Sequence, residues 1–188
     1  MAMAQSVKLF ILINLLFALS FKAISTSNYH FYGLKSLRFT LYQHETLNKT
    51  AYLIVNGVTG QGITPTTSPF GSLFAYQDNL TITSNPSSKV VGISEAISIT
   101  STLDGLGNIA ISKTTLEYKR LKGSISIVGS AHSIEPSDLP IVGGTGDFTF
   151  VQGYMTSTPV NISGFAVTYK FEFHLYWPPY ANPSSLHN

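Results

Sequence analysis

From Phe165 to Trp177 the side chains alternate without a break. Phe165, Val167, Tyr169, Phe171, Phe173, Leu175 and Trp177 fall on one face, while Thr168, Lys170, Glu172 and His174 fall on the other. A period of two over this length is a long half-buried strand, because successive strand side chains point to opposite faces. The same period predicts strands near 36–44, 50–56, 70–77, 89–101, 108–119, 123–132 and 147–157, about eight in all. Turn chemistry separates them at Asn56-Gly57 through Gly62, at Asn85-Pro86, at Asp104 through Asn108, and at Gly143-Gly144-Thr145-Gly146. An all-β chain of eight antiparallel strands, with no helix to cover it, must bury a sheet face against itself. The solutions are a closed barrel or a two-sheet sandwich. Val90, Ala96, Val128 and Val151 put apolar groups on second faces, which suits a barrel partly covered by neighbouring subunits and a sandwich nearly as well. Residues 59–69, rich in Gly, Pro and Thr, read first as a flexible connector and second as a cover for a barrel mouth.

The first 25 residues are an address. Lys8 supplies a positive flank, residues 9–21 an apolar core of 13, and Ala23-Ile24-Ser25 a small-residue cleavage site. The core is short of the ~20 residues a bilayer span needs, so the pattern is a secretory signal peptide. The expected organisation is then a signal peptide at 1–25, an extension at 26–35, a barrel domain at 36–177 and a proline-rich tail at 178–188. Without Lys8 and Lys22 the chain has 9 basic residues (11 − 2) against 9 acidic ones, a formal charge of zero. Nucleic acid is excluded as partner for want of a basic footprint, and Lys119-Arg120-Leu121-Lys122 reads as a solvated turn between strands. No membrane partner is expected once the signal is removed. Asn48, Asn79 and Asn161 head glycosylation sequons, consistent with an extracellular address. Cysteine is absent, which excludes disulfides and thiolate chemistry.

Three stretches together resemble the plant dirigent protein family. They are Leu41 to Leu47, with its His44-Glu45 pair; Phe70 to Thr81, with Asp78 before Leu80-Thr81; and Leu139 to Tyr154, with Gly143-Gly144-Thr145-Gly146 at its centre. The resemblance runs in order from about residue 36 to 177. It implies an eight-stranded antiparallel β-barrel of the allene oxide cyclase type, a homo-oligomer (dimer or trimer), secreted to the apoplast or cell wall. It also implies stereoselective coupling of phenoxy radicals of coniferyl alcohol-like monolignols in lignan biosynthesis. The radicals would be supplied by a separate oxidase or laccase, with no cofactor in the protein itself. Alternatives within reach are a cyclase or dehydratase acting on a quinone-methide-type intermediate, and a non-catalytic barrel that binds wall phenolics.

Steering such an intermediate needs an apolar, aromatic cavity with a few polar groups that hold phenol oxygens and move a proton. Glu45 stands where the family has a catalytic Asp, and Asp147 follows the glycine-rich signature, so these two are the candidate catalytic acids. Glu45 carries one extra methylene, which moves its carboxyl by roughly 1.5 Å. Gln152, Tyr42, Phe150 and Tyr154 are the candidate substrate-binding residues, and Asp78 reads as a turn cap. Gln152 replaces an Arg of the family and brings no fixed charge. Ile93, Ile97 and Ser98 replace its Arg and aromatic residues, and Glu95 its Gln, so the pocket chemistry is altered. Glu95, sharing a face with Ile93 and Ile97, is either a pocket acid or a residue at a subunit boundary. His44, His132 and His174 lie on separate strands without ligand spacing, so no metal is expected.

Overall fold

A computed structural model of the protein describes residues 35–60 and 62–181. The expected signal peptide, the extension up to residue 34 and the tail beyond Ala181 lie outside the described residues. The described chain forms nine strands and no helix: β1 Lys35–Thr46, β2 Ala51–Val55, β3 Leu73–Thr81, β4 Val90–Thr100, β5 Gly107–Tyr118, β6 Leu121–His132, β7 Ser137–Gly146, β8 Gln152–Ser163 and β9 Ala166–Trp177. Each is antiparallel to its neighbours, in the order β1-β9-β8-β7-β6-β5-β4-β3-β2.

A further pairing of β1 with β3 closes the sheet into an eight-stranded antiparallel barrel, with β2 as an addition. The closure is short: only Tyr42↔Thr81 and Gln43↔Leu80 are in register, whereas β1 and β9 pair along their full length from Lys35↔Trp177 to Thr46↔Ala166. The free edge of β3 is therefore shared. β1 takes its last residues and β2 takes Leu73 to Tyr76. His44 fastens this seam from outside. Its Nε2–H donates to Thr81 Oγ1 at 2.7 Å, and that hydroxyl donates to the Thr83 carbonyl at 2.7 Å.

The alternation of the sequence divides the interior into two halves. The closed half, where β1 begins and β9 ends, is filled by Phe39, Leu116, Ile125, Ile127, Phe173 and Leu175, with Trp177 and Phe148 stacked at 6.4 Å between ring centres. Phe173 and Trp177 are fully buried, and each contributes about 2–3 kcal/mol of transfer free energy. The other half opens to solvent at the end where β1 stops and β9 starts.

The glycine-rich segment differs from the expectation. Gly143 to Gly146 is the last part of β7, the turn follows at 147–151, and β8 starts only at Gln152. Glycine is needed there for close approach: a Cβ on Gly144 would meet the Phe148 carbonyl oxygen at 2.4 Å and that of Ser124 at 2.7 Å. The glycines thus let a strand run under its own returning turn, and the expected strand at 147–157 becomes a turn plus the first half of β8. The described residues of 59–69 do not line the cavity of the open half. Ser68 anchors them beside the β4–β5 turn through Thr100, with 2.6 Å between hydroxyls, and through the Gly105 carbonyl.

Candidate active site

On the open half, one wall sends in small residues and the other sends in large ones. β4 contributes Ser94, Ala96 and Ser98, and β5 contributes Asn108, Ala110 and Ser112. Facing them are Gln43 and Glu45 from β1, Tyr76 from β3, and Tyr169 and Phe171 from β9. The mismatch leaves a cavity of about 110 Å³. An apolar void of ~150 Å³ takes one benzene ring, so this space is on the scale of a single aromatic ring with the remainder of any larger ligand at the mouth.

Glu45 lines this space, and a second carboxyl, Asp78, is buried close enough to influence it. Glu45 is pushed up to about 8, mainly by burial and further by the charge of Asp78. Asp78, fully buried on β3, is pushed up to about 7 by burial, against the Thr50 hydroxyl and the Gln43 amide, which favour its charged form. Gln43 Nε2 donates to Asp78 Oδ2 at 2.7 Å and fixes that carboxyl. Two neighbouring carboxyls in a low-dielectric site resist double ionisation, so the pair holds a proton through neutral pH. Asp78 is therefore an interior strand residue and no turn cap.

Phenol-type donors stand beside the acids. Tyr76 and Ser98 have their hydroxyls 2.5 Å apart. Burial, and then the Glu45 charge, push both Tyr76 and Tyr169 above the ordinary phenol range, so both stay protonated. His132 lies at the rim, where its Nδ1 accepts the backbone N–H groups of Ile134 and Glu135. In the neutral ring the proton therefore sits on Nε2.

The other sequence candidates lie elsewhere. His44, next to Glu45, points outward as strand alternation requires, and burial lowers its pKa. Asp147 sits in the turn after β7, its Oδ2 accepting the Lys122 N–H at 2.8 Å. Phe150 and Gln152 line a depression of about 600 Å³ on the outside, with Tyr176 and Tyr180. Tyr154 stacks on His174 on the outer wall, with 4.5 Å between ring centres. Tyr42 alternates to the outer face of β1, in register with Lys170 and Thr81. The structure thus brings Glu45 alone of these candidates into the cavity and gathers Asp147, Phe150 and Gln152 at the opposite end. Glu95 lies on the outer wall, its Oε2 2.5 Å from Lys113 Nζ. Asn48, Asn79 and Asn161 are all exposed. Among the described residues no three His, Asp or Glu side chains are grouped as metal ligands.

Sequence reasoning missed Asp78, Gln43 and the serine–alanine wall. The wall had a signal: Ser94, Ala96 and Ser98, like Asn108, Ala110 and Ser112, are small residues at every second position. Small inward side chains on adjacent strands leave room.

The architecture is a closed antiparallel barrel whose open half holds a ring-sized cavity lined by aromatic, hydroxyl and amide side chains and by Glu45, with Asp78 buried nearby. The Dirigent-like protein family profile matches residues 36–177, and the chain belongs to that family. It is 36% identical over 118 residues to Dirigent protein 23 of Arabidopsis thaliana, a match spanning 60% of this chain and 62% of that one. It is 26% identical over 148 residues to Pterocarpan synthase 1 of Glycyrrhiza echinata, covering 77% and 79% of the two chains. A solved pterocarpan synthase dirigent protein superposes with a TM-score of 0.69 at 20% identity, over 79% of this chain and 93% of that one, which establishes the shared fold.

Proposed function

We propose that this protein holds a quinone-methide-type phenolic intermediate in the open half of the barrel and directs the stereochemistry of its ring closure, with Glu45 as the proton-transferring group. The observation that carries this reading is the Glu45–Asp78 carboxyl pair, which retains a proton near neutrality inside a ring-sized cavity. Ring closure moves one proton: the attacking hydroxyl loses it and the quinone-methide oxygen gains it. The carboxyl pair can donate at one oxygen and accept at the other, ending as it began, so no oxidant is consumed. Tyr76 and Ser98 are placed to hold a phenol oxygen, and Phe171 and Met155 to pack against the ring. The related pterocarpan synthase supports closure of a ring as the class of reaction.

The second reading is stereoselective coupling of monolignol-type phenoxy radicals delivered by an oxidase or laccase. Family membership favours it, whereas a cavity of about 110 Å³ would leave the second ring at the mouth. Secretion to the apoplast and assembly into a homo-oligomer belong to both readings. The first is supported by the leader and the sequons, the second by the exposed isoleucines of β4 and β5.

Chiral chromatography separates the readings. With a quinone-methide precursor and no oxidase, the purified protein is expected to give one enantiomer of the closed product, and Glu45→Gln to give slow, racemic closure. Racemic product from wild type there, with enantiomeric excess from coniferyl alcohol only when laccase is added, would replace the first reading by the second.

A further inference from the structure

Asp104, Glu135 and Asp138 stand at the open end together with Lys49, while Glu117 and Asp147 stand among the basic residues of the closed end. Around the closed end stand Lys89 before β4, the Lys119-Arg120 turn between β5 and β6, and Lys122 at the start of β6. Here the outer wall carries a groove of about 710 Å³ crossing β4, β5 and β6, with Lys89, Lys113 and Lys122 along it. The groove thus carries one cation just before β4, one on β5 and one on β6. Hydroxyls of Thr115, Ser124 and Thr145 lie between them, the last two 2.7 Å apart.

Two of the cations along the groove are ion-paired. Lys122 Nζ is 3.5 Å from Glu117 Oε2, both side chains being about three-quarters exposed, and Lys113 is paired with Glu95 across the strands. Pairs this exposed are weak and open readily to a competing carboxylate. The turn adds an independent observation. Lys119 holds a left-handed backbone at φ 56°, where Gly or Asn would be the strain-free choice, and its Nζ lies 5.3 Å from the centre of the Tyr118 ring. The chain thus keeps a cation at a strained position that the fold would fill better with another residue, and strain of this kind points to a use.

We infer that the closed end of the barrel is a docking groove for a carboxylate-bearing polysaccharide. Its chemistry fits that class: spaced cations for the carboxylates, hydroxyls for sugar hydroxyls, and a groove wide enough for a chain. No aromatic side chain lines it, so neither base stacking nor an interfacial aromatic belt is available for nucleic acid or a bilayer. Held by this end, the barrel presents its cavity away from the polymer.

Retention of the full-length secreted protein in affinity electrophoresis through polygalacturonate, compared with its methyl ester, tests the inference. The acid polymer is expected to retard the protein, the neutral ester not to, and added salt to abolish the retardation. Lys89→Ala and Lys122→Ala are each expected to weaken retention about fivefold, while Lys122→Arg and Glu45→Gln leave it unchanged. Melting temperatures equal to wild type confirm that the lysine variants are folded. Equal retention by acid and ester, indifference to the lysine variants, or binding to phosphatidylserine vesicles in place of the polymer would each overturn it.

Discussion

Neighbouring residues of one strand take unlike parts here. His44 faces outward and locks the barrel seam, while Glu45 faces inward and holds a proton. A His–acid pair adjacent in sequence is therefore not a pair in space, and the acid's real companion is Asp78, 33 positions on (78 − 45). Both carboxyls have folded-state pKa values raised above the unfolded ones, so the fold favours their protonated forms. Their contribution to stability is full below pH ~4 and is lost as pH rises through about 7 and 8. Free energies of unfolding measured from pH 5 to 9 are expected to fall, by about 1.4 kcal/mol per pH unit for each carboxyl until it ionises. Glu45→Gln should flatten most of that slope. In turnover, wild type should lose activity above pH ~8 as the acid ionises. The same substitution should cost roughly 100-fold or more in rate.

At the scale of the strand, β9 could be read directly because one face is wholly apolar and pairs along its length with β1. β7 could not. Leu139, Ile141 and the glycines make too weak an alternation, and Gly143 to Gly146 carry the residues of a turn while doing the work of a close-packed strand. β4 and β5 show why the site was less legible than the fold. Their isoleucines Ile97, Ile99, Ile109 and Ile111 point outward, between 43% and 51% exposed, while Ser94, Ser98, Asn108 and Ser112 point inward. Alternation locates such a strand but misassigns its faces, because the rule that the apolar side goes in is reversed by a polar cavity. Glu45 was reached through its resemblance to a family acid. Asp78 required the register of β1 on β3, which no local pattern contains. Two measurements follow. Ala110→Leu fills the small-residue wall and should abolish ligand binding by calorimetry with little change in melting temperature. Phe173→Ala, in the closed half, should instead cost about 3–5 kcal/mol in denaturant unfolding.

At the scale of the barrel, the outward isoleucines form one surface, since Ile97 pairs with Ile111 and Ile99 with Ile109. Val128 extends it onto β6 beside Ile111. An apolar patch of this kind is expected between subunits. Light scattering behind size exclusion should show an oligomer for wild type and a monomer for Ile97→Lys/Ile111→Lys. The barrel is joined to itself by two residue pairs, Tyr42↔Thr81 and Gln43↔Leu80, while its other ladders run for five pairs or more. A hoop with one short weld parts first at the weld. Hydrogen exchange should find the amides there the fastest of any in β1 and β3. Gln43, at that weld, also lines the cavity and grips Asp78. Parting it by a few ångströms would widen a chamber otherwise sized for one ring, so the place where the cylinder is least secured is also its doorway for bulky guests.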